Sequence, residues 1–128
     1  MRGQVSAEYM LLFMVSLSLL GVSAVSLGGI RDSAMKSLDK NDFRSSAVSL
    51  ANAVNEVCAS GDNNRVSVHI STPVDVDSER SDEGWLIRIR SGNASVVRDS
   101  LCEAEQISLP KGKAYIENKG GSAFFTAQ

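Results

Sequence analysis

Few side chains in this 128-residue chain are of types that do covalent or metal chemistry, and they are thinly spread. His69 is the only histidine. It falls on the polar phase of an alternating run, Arg65-Val66-Ser67-Val68-His69-Ile70, where a solvated role is expected. Serines number 20, but a Ser-His-Asp arrangement has a single imidazole to draw on and no nucleophile elbow. No short-spaced cysteine pair offers a zinc site, and no glycine-rich loop offers a phosphate cradle. Residues 75–83 hold five carboxylates and one arginine, in Asp75-Val76-Asp77-Ser78-Glu79-Arg80-Ser81-Asp82-Glu83. The alternating acids match the start of a calcium loop. Arg80 then stands where that loop needs glycine, and Leu86 where it needs a bidentate glutamate. A solvated acidic loop after Pro73 is the expected reading. A weak calcium site, or an acidic contact to a neighbouring subunit, is the sharper one. No catalytic residue, cofactor or metal is expected, and the chain reads as a non-enzyme.

Two further features are chemical. Cys58 and Cys102 are the only cysteines. In an oxidising setting they would bridge, closing a loop worth about 4 kcal/mol by the chain-entropy model. Reduced, they would serve as small buried hydrophobes. Asn93-Ala94-Ser95 is an N-glycosylation sequon on an expected turn, Ser91-Gly92-Asn93.

The third feature is Glu8, at the mouth of 22 uncharged residues, Tyr9–Ile30. A helix of that length spans roughly 33 Å, enough to cross a hydrocarbon core. Ser16, Ser18, Ser23 and Ser26 can return their hydroxyls to the backbone and do not forbid insertion. A carboxylate entering such a segment is costly and asks for a partner. An ordinary secretory signal would have a shorter apolar run and a clearer cleavage site.

Arg2-Gly3 followed by Gln4-x-Ser6-x-Glu8-Tyr9, with Leu12 and the apolar run behind it, resembles the class III signal sequence of archaeal type IV pilins. The resemblance covers residues 2–12. It implies a prepilin peptidase that cuts between Gly3 and Gln4, leaving residues 1–3 as the leader. Glu8 then becomes the fifth mature residue. It also implies that N-terminal helices bundle in a filament core, where the Glu8 carboxylate meets the α-ammonium of a neighbouring subunit. The implied partners are copies of the chain and related pilins, the peptidase, and the assembly ATPase with its membrane platform. The implied location is the membrane, as a single-pass precursor with the head outside, and then a cell-surface filament. Within this class, a minor pilin or adhesin is the alternative to a main structural subunit. Outside it, the alternative is a membrane-anchored binding module that does not polymerise.

The elements that position these residues follow from periodicity. Of the first 30 residues 18 are apolar, against 37 of the remaining 98. After Ile30 apolar residues recur at Ala34, Met35, Leu38, Phe43, Ala47, Leu50, Ala51, Val54, Val57 and Cys58. Steps of three and four mark one stripe of an α-helix. Residues 5 to about 59 are expected to form one long helix, with Gly28-Gly29 and Lys40-Asn41-Asp42 as the points for a bend and Gly61 as its cap. Four segments follow, the hydrophobic helix 4–30, its amphipathic continuation 31–60 and a head 61–128, after the leader.

In the head the period shifts to two. Strands are expected at 65–70, 84–90 and 94–98, with 84–98 a hairpin. A second hairpin is expected from Gln106–Leu109 and Ala114–Glu117 around Pro110-Lys111-Gly112-Lys113. Ala123-Phe124-Phe125 is expected as a last edge strand. The fold class is α+β, a long helix packed on a small antiparallel sheet. The net charge is −2, which gives no reason to expect nucleic acid.

Overall fold

The computed structural model describes residues 2–128, with Arg2, Gln4 and Val5 described by their backbone alone. Met1 of the expected leader therefore lies outside the described residues, as do the side chains of Arg2 and Gln4 of the processing motif. The chain is a single α-helix, α1 (Arg2–Ser60), followed by eight strands. They are β1 (Arg65–Ile70), β2 (Val74–Ser81), β3 (Gly84–Ser91), β4 (Ala94–Ser100), β5 (Glu103–Ala104), β6 (Ile107–Leu109), β7 (Gly112–Lys119) and β8 (Ser122–Ala127). Two compact units result: one ends at Leu38 and the other is Asp39–Gln128.

The helix runs without interruption through Gly28-Gly29 and Lys40-Asn41-Asp42. No proline interrupts its hydrogen bonds, and its end carries the expected signal. Gly61 has φ +84°, the left-handed conformation that terminates helices and that side chains resist.

The apolar stripe divides in two. Phe43, Ala47, Leu50, Val54 and Val57 are buried, with Ala51 and Ala53 beside them. Ala34 is exposed, as are Met35 at 55% and Leu38 at 61%. Element lengths explain the limit. A strand of eight residues spans about 26 Å, and the helix from Phe43 to Ser60 spans about the same.

The head contains two four-stranded sheets, ordered β1-β7-β8-β5 and β4-β3-β2-β6. All pairs are antiparallel except β5 with β8. Both sheets turn their apolar faces to one core with the helix. The first sheet contributes Val68, Ile70, Ala114, Ile116, Ala123 and Phe125; the second contributes Val74, Val76, Ile87, Ile89 and Leu109. The α+β layout of a long helix on a small, mainly antiparallel β head is thus the fold.

Four expectations need correction. The head has two sheets where one was expected. The acidic stretch 75–83 is not a loop: Val74–Ser81 is strand β2, with Val74 and Val76 buried and Asp75 and Asp77 turned outward. Its charges obscured a period-two pattern. The second hairpin does not form either. β6 pairs with β2, while β7 pairs with β1 and β8. Pairing is decided by partners distant in sequence, and the chain crosses from one sheet to the other at Pro110-Lys111. Finally, β8 is no edge strand, because it lies between β7 and β5. The β3–β4 hairpin forms as expected, across Gly92 and Asn93.

Three contacts lock the end of the helix to the sheets. Cys58 and Cys102 are disulfide-bonded, with their Cα atoms 5.8 Å apart. The Asn55 side chain donates to the Asp99 carbonyl at 3.1 Å and accepts from the Leu101 N–H at 3.0 Å. Asn118 is 3% exposed. Its Nδ2 donates to the Val57 carbonyl at 3.2 Å, and its Oδ1 accepts from the Gly121 N–H at 3.1 Å. It thereby serves a helix-end carbonyl that has no intrahelical partner.

Two predictions follow for the full chain in detergent. Asn118→Ala strands two backbone groups and is expected to lower the unfolding free energy by about 2 kcal/mol, measured by urea titration. The exposed Glu56→Ala control is expected to change it by less than ~0.5 kcal/mol. Replacing both Cys58 and Cys102 by serine is expected to cost up to about 4 kcal/mol in the same titration.

Candidate functional site

The N-terminal unit is built from one element. From Tyr9 to Ile30 every large apolar side chain faces outward, Tyr9 at 70% and Val25 at 78% exposed. Its most apolar 18-residue window has a mean hydropathy of 2.2 and none of it is buried. The helix is long and apolar enough to cross a membrane.

Its polar groups are satisfied internally. Ser16 Oγ donates to the Leu12 carbonyl at 2.9 Å and Ser18 Oγ to Met14 at 2.9 Å. Ser23 Oγ donates to Leu19 at 2.8 Å and Ser26 Oγ to Val22 at 3.0 Å. An unpaired hydroxyl in hydrocarbon costs several kcal/mol, so these four bonds make the surface effectively apolar.

Glu8 stands at the start of this surface. Gly3, Ser6, Glu8, Tyr9 and Leu12 are all exposed. Glu8 and Leu12 are one turn apart and share a face of the helix. Among the described residues the ion pairs are Arg88–Glu79 and Lys119–Glu117, and Glu8 takes part in neither.

The other candidates lie in the head, apart from one another. His69 is exposed on the outer phase of β1, opposite Lys113 of β7. Asn93 is exposed at the tip of the β3–β4 hairpin, where its amide is accessible to a modifying enzyme. Asp75 and Asp77 sit opposite Arg90 and Arg88, and Glu79 reaches Arg88 at 3.5 Å. The strand spaces these acids along a ladder of cations. Among the described residues, no three His, Cys, Asp or Glu side chains form a group that could hold a metal ion.

Two features of the head escaped periodicity because they depend on strand pairing. On the outer face of the first sheet, the Arg65 guanidinium lies 4.0 Å from the centroid of the Tyr115 ring, and Lys113 Nζ lies 5.2 Å from it. A cleft of about 370 Å³ is lined by Asp77, Glu103, Glu105, Gln106 and Phe124 among others. The cross-strand register Ser67↔Tyr115 and His69↔Lys113 assembles the first. The parallel β5–β8 pair helps assemble the second.

These features define an α+β protein with a candidate membrane-crossing helix and a disulfide-stapled β head. No protein-family model, curated protein or solved structure matches the chain.

Proposed function

We propose that the chain is a structural subunit of a surface filament of the archaeal type IV pilin kind, acting by assembly and not by catalysis. One observation carries this reading. The Gly3-Gln4-x-Ser6-x-Glu8-Tyr9 motif opens directly into a helical surface, Tyr9–Ile30, whose large apolar side chains are all exposed. In this reading the precursor spans the membrane with Arg2 on the cytoplasmic side, as the positive-inside rule favours. A prepilin peptidase cuts between Gly3 and Gln4. The assembly ATPase and its platform extract the product, and the apolar helix passes from lipid into a bundle of sister helices.

That transfer runs from one apolar medium to another and gains little from the hydrophobic effect. Packing and polar pairing must drive it. The Glu8 carboxylate against the α-ammonium of a neighbour relieves the burial cost of both charges and fixes axial register, since a misplaced subunit leaves a charge unpaired.

Electron microscopy of sheared filaments, with peptide mapping, tests the reading. Filaments rich in a peptide that begins at Gln4 are expected. Glu8→Ala is expected to leave the protein in the membrane and to reduce filaments at least tenfold. Abundant normal filaments from that variant would refute the role of Glu8. Wild-type protein that stays in the membrane without filaments would favour an anchored binding module.

A further inference from the structure

The Arg65–Tyr115–Lys113 group is unusual in its charge balance. Two cations converge on one ring, and each gains from the negative face of the π-system. They also repel each other. The one carboxylate in register with Arg65 belongs to Glu117, and it is engaged by Lys119 at 3.2 Å. Neither Arg65 nor Lys113 has an ion pair among the described residues. His69 lies directly across from Lys113 and adds no negative charge. All three basic side chains are exposed. At the β1–β7 end of this sheet the cations therefore outnumber the free carboxylates, while Glu103 stands on β5 at the opposite edge.

The same chain carries the complement. Asp77, Glu103 and Glu105 line the cleft at β2, β5 and the segment that follows, and none of them forms an ion pair among the described residues. Phe124, 39% exposed, lies on the same wall and can receive a cation on its ring. Each patch thus pairs an aromatic ring with charges that form no ion pair among the described residues, and the two signs are opposite. Charge complementarity of this sort fixes which surfaces meet.

We propose that the Arg65–Lys113–Tyr115 face of one copy docks on the Asp77–Glu103–Glu105 cleft of the next. The patches differ, so the contact is heterologous. A joined pair keeps one free patch of each sign, one on each copy, and the array extends without closing unless the rotation forms a ring. The choice of a second copy as occupant rests on the filament reading. The charges themselves do not.

Zero-length carbodiimide coupling on full-length chain tests it, because it joins a lysine to a carboxylate only in direct contact. Ordinary and 15N-labelled chains are mixed in detergent and reconstituted together in lipid vesicles. Light–heavy cross-links from Lys113 to Asp77, Glu103 or Glu105 are expected. Their yield is expected to fall at least fivefold from 0.1 to 1 M salt, as the screening length shrinks from about 10 to about 3 Å. Arg65→Glu is expected to lower it at least fivefold as well. Arg65→Glu/Lys113→Glu combined with Glu103→Lys/Glu105→Lys in one chain is expected to restore coupling between the two patches. All four positions are exposed, and resistance to thiol alkylation confirms that each variant keeps its disulfide. Light–heavy links that are absent or map elsewhere overturn the proposal, as do an unaffected Arg65→Glu variant and a combined reversal without rescue. Micrographs of the wild-type protein separate the two readings. Coupling without filaments sinks the filament and leaves the contact. Filaments without Lys113 coupling sink the contact and leave the filament.

Discussion

Everything in this molecule is conditioned by an apolar helical surface, Tyr9–Ile30, whose large side chains are all exposed. Each large side chain there forgoes roughly 1.5–3 kcal/mol by facing water. Over more than a dozen such residues the deficit far exceeds the 5–15 kcal/mol by which a domain is ordinarily stable. The helix is long and apolar enough to cross a membrane, and its surface suits hydrocarbon or the company of other helices. The four serine hydroxyls bonded to their i−4 carbonyls make the surface suitable for either.

The head takes only the last five turns of the same helix. Those turns act as the central element of a core shared by two sheets. The sheets are small, and β5 and β6 are only two and three residues long. Short strands bury little, so the joints matter. Asn118 ties the helix end to β7, Asn55 ties it to the chain leaving β4, and the disulfide fixes Cys58 to Cys102 just beyond. Ser78 couples the two sheets, since its hydroxyl donates to the Ala104 carbonyl at 2.7 Å and accepts from the Ala104 N–H at 3.2 Å. The contacts made by the helix cluster at its C-terminal end.

Local pattern made most of the secondary structure readable. The helix was legible in steps of three and four, and β1, β3 and β4 in alternation, because those signals are local. The cysteine pair was legible as a choice between two states, which the structure resolves in favour of the bridge. β2 was misread because its outward residues are acidic, and Asp75-Val76-Asp77 reads as charge before it reads as phase. The break between β6 and β7 is not legible locally, because their partners, β2 for one and β1 and β8 for the other, are distant in sequence or on the far side. The exposure of Met35 and Leu38 was not legible at all. Periodicity marks which face of a helix is apolar, but strand length decides how much of that face is covered. The two charged patches were invisible for a related reason: Arg65 and Lys113 are 48 positions apart and meet only through the register of β1 with β7.

Two kinds of force are therefore separated along the chain. The apolar surface is strong and non-directional, and helices sliding past one another by a turn would lose little of it. Single charges behave oppositely. In the assembly we propose, Glu8 at one end has a definite partner only at one axial position, and the cationic face of the head has one only at one rotation. A charge misplaced in a low-dielectric bundle costs several kcal/mol, whereas one misplaced on the wet exterior costs about 1 kcal/mol. Glu8 would then dictate the axial step and tolerate no slip. The head contacts would bias the rotation while still allowing subunits to flex against each other. Such a division lets a filament hold its length under tension and bend without breaking, because its register is set in the dry core and its curvature is accommodated in the screened shell.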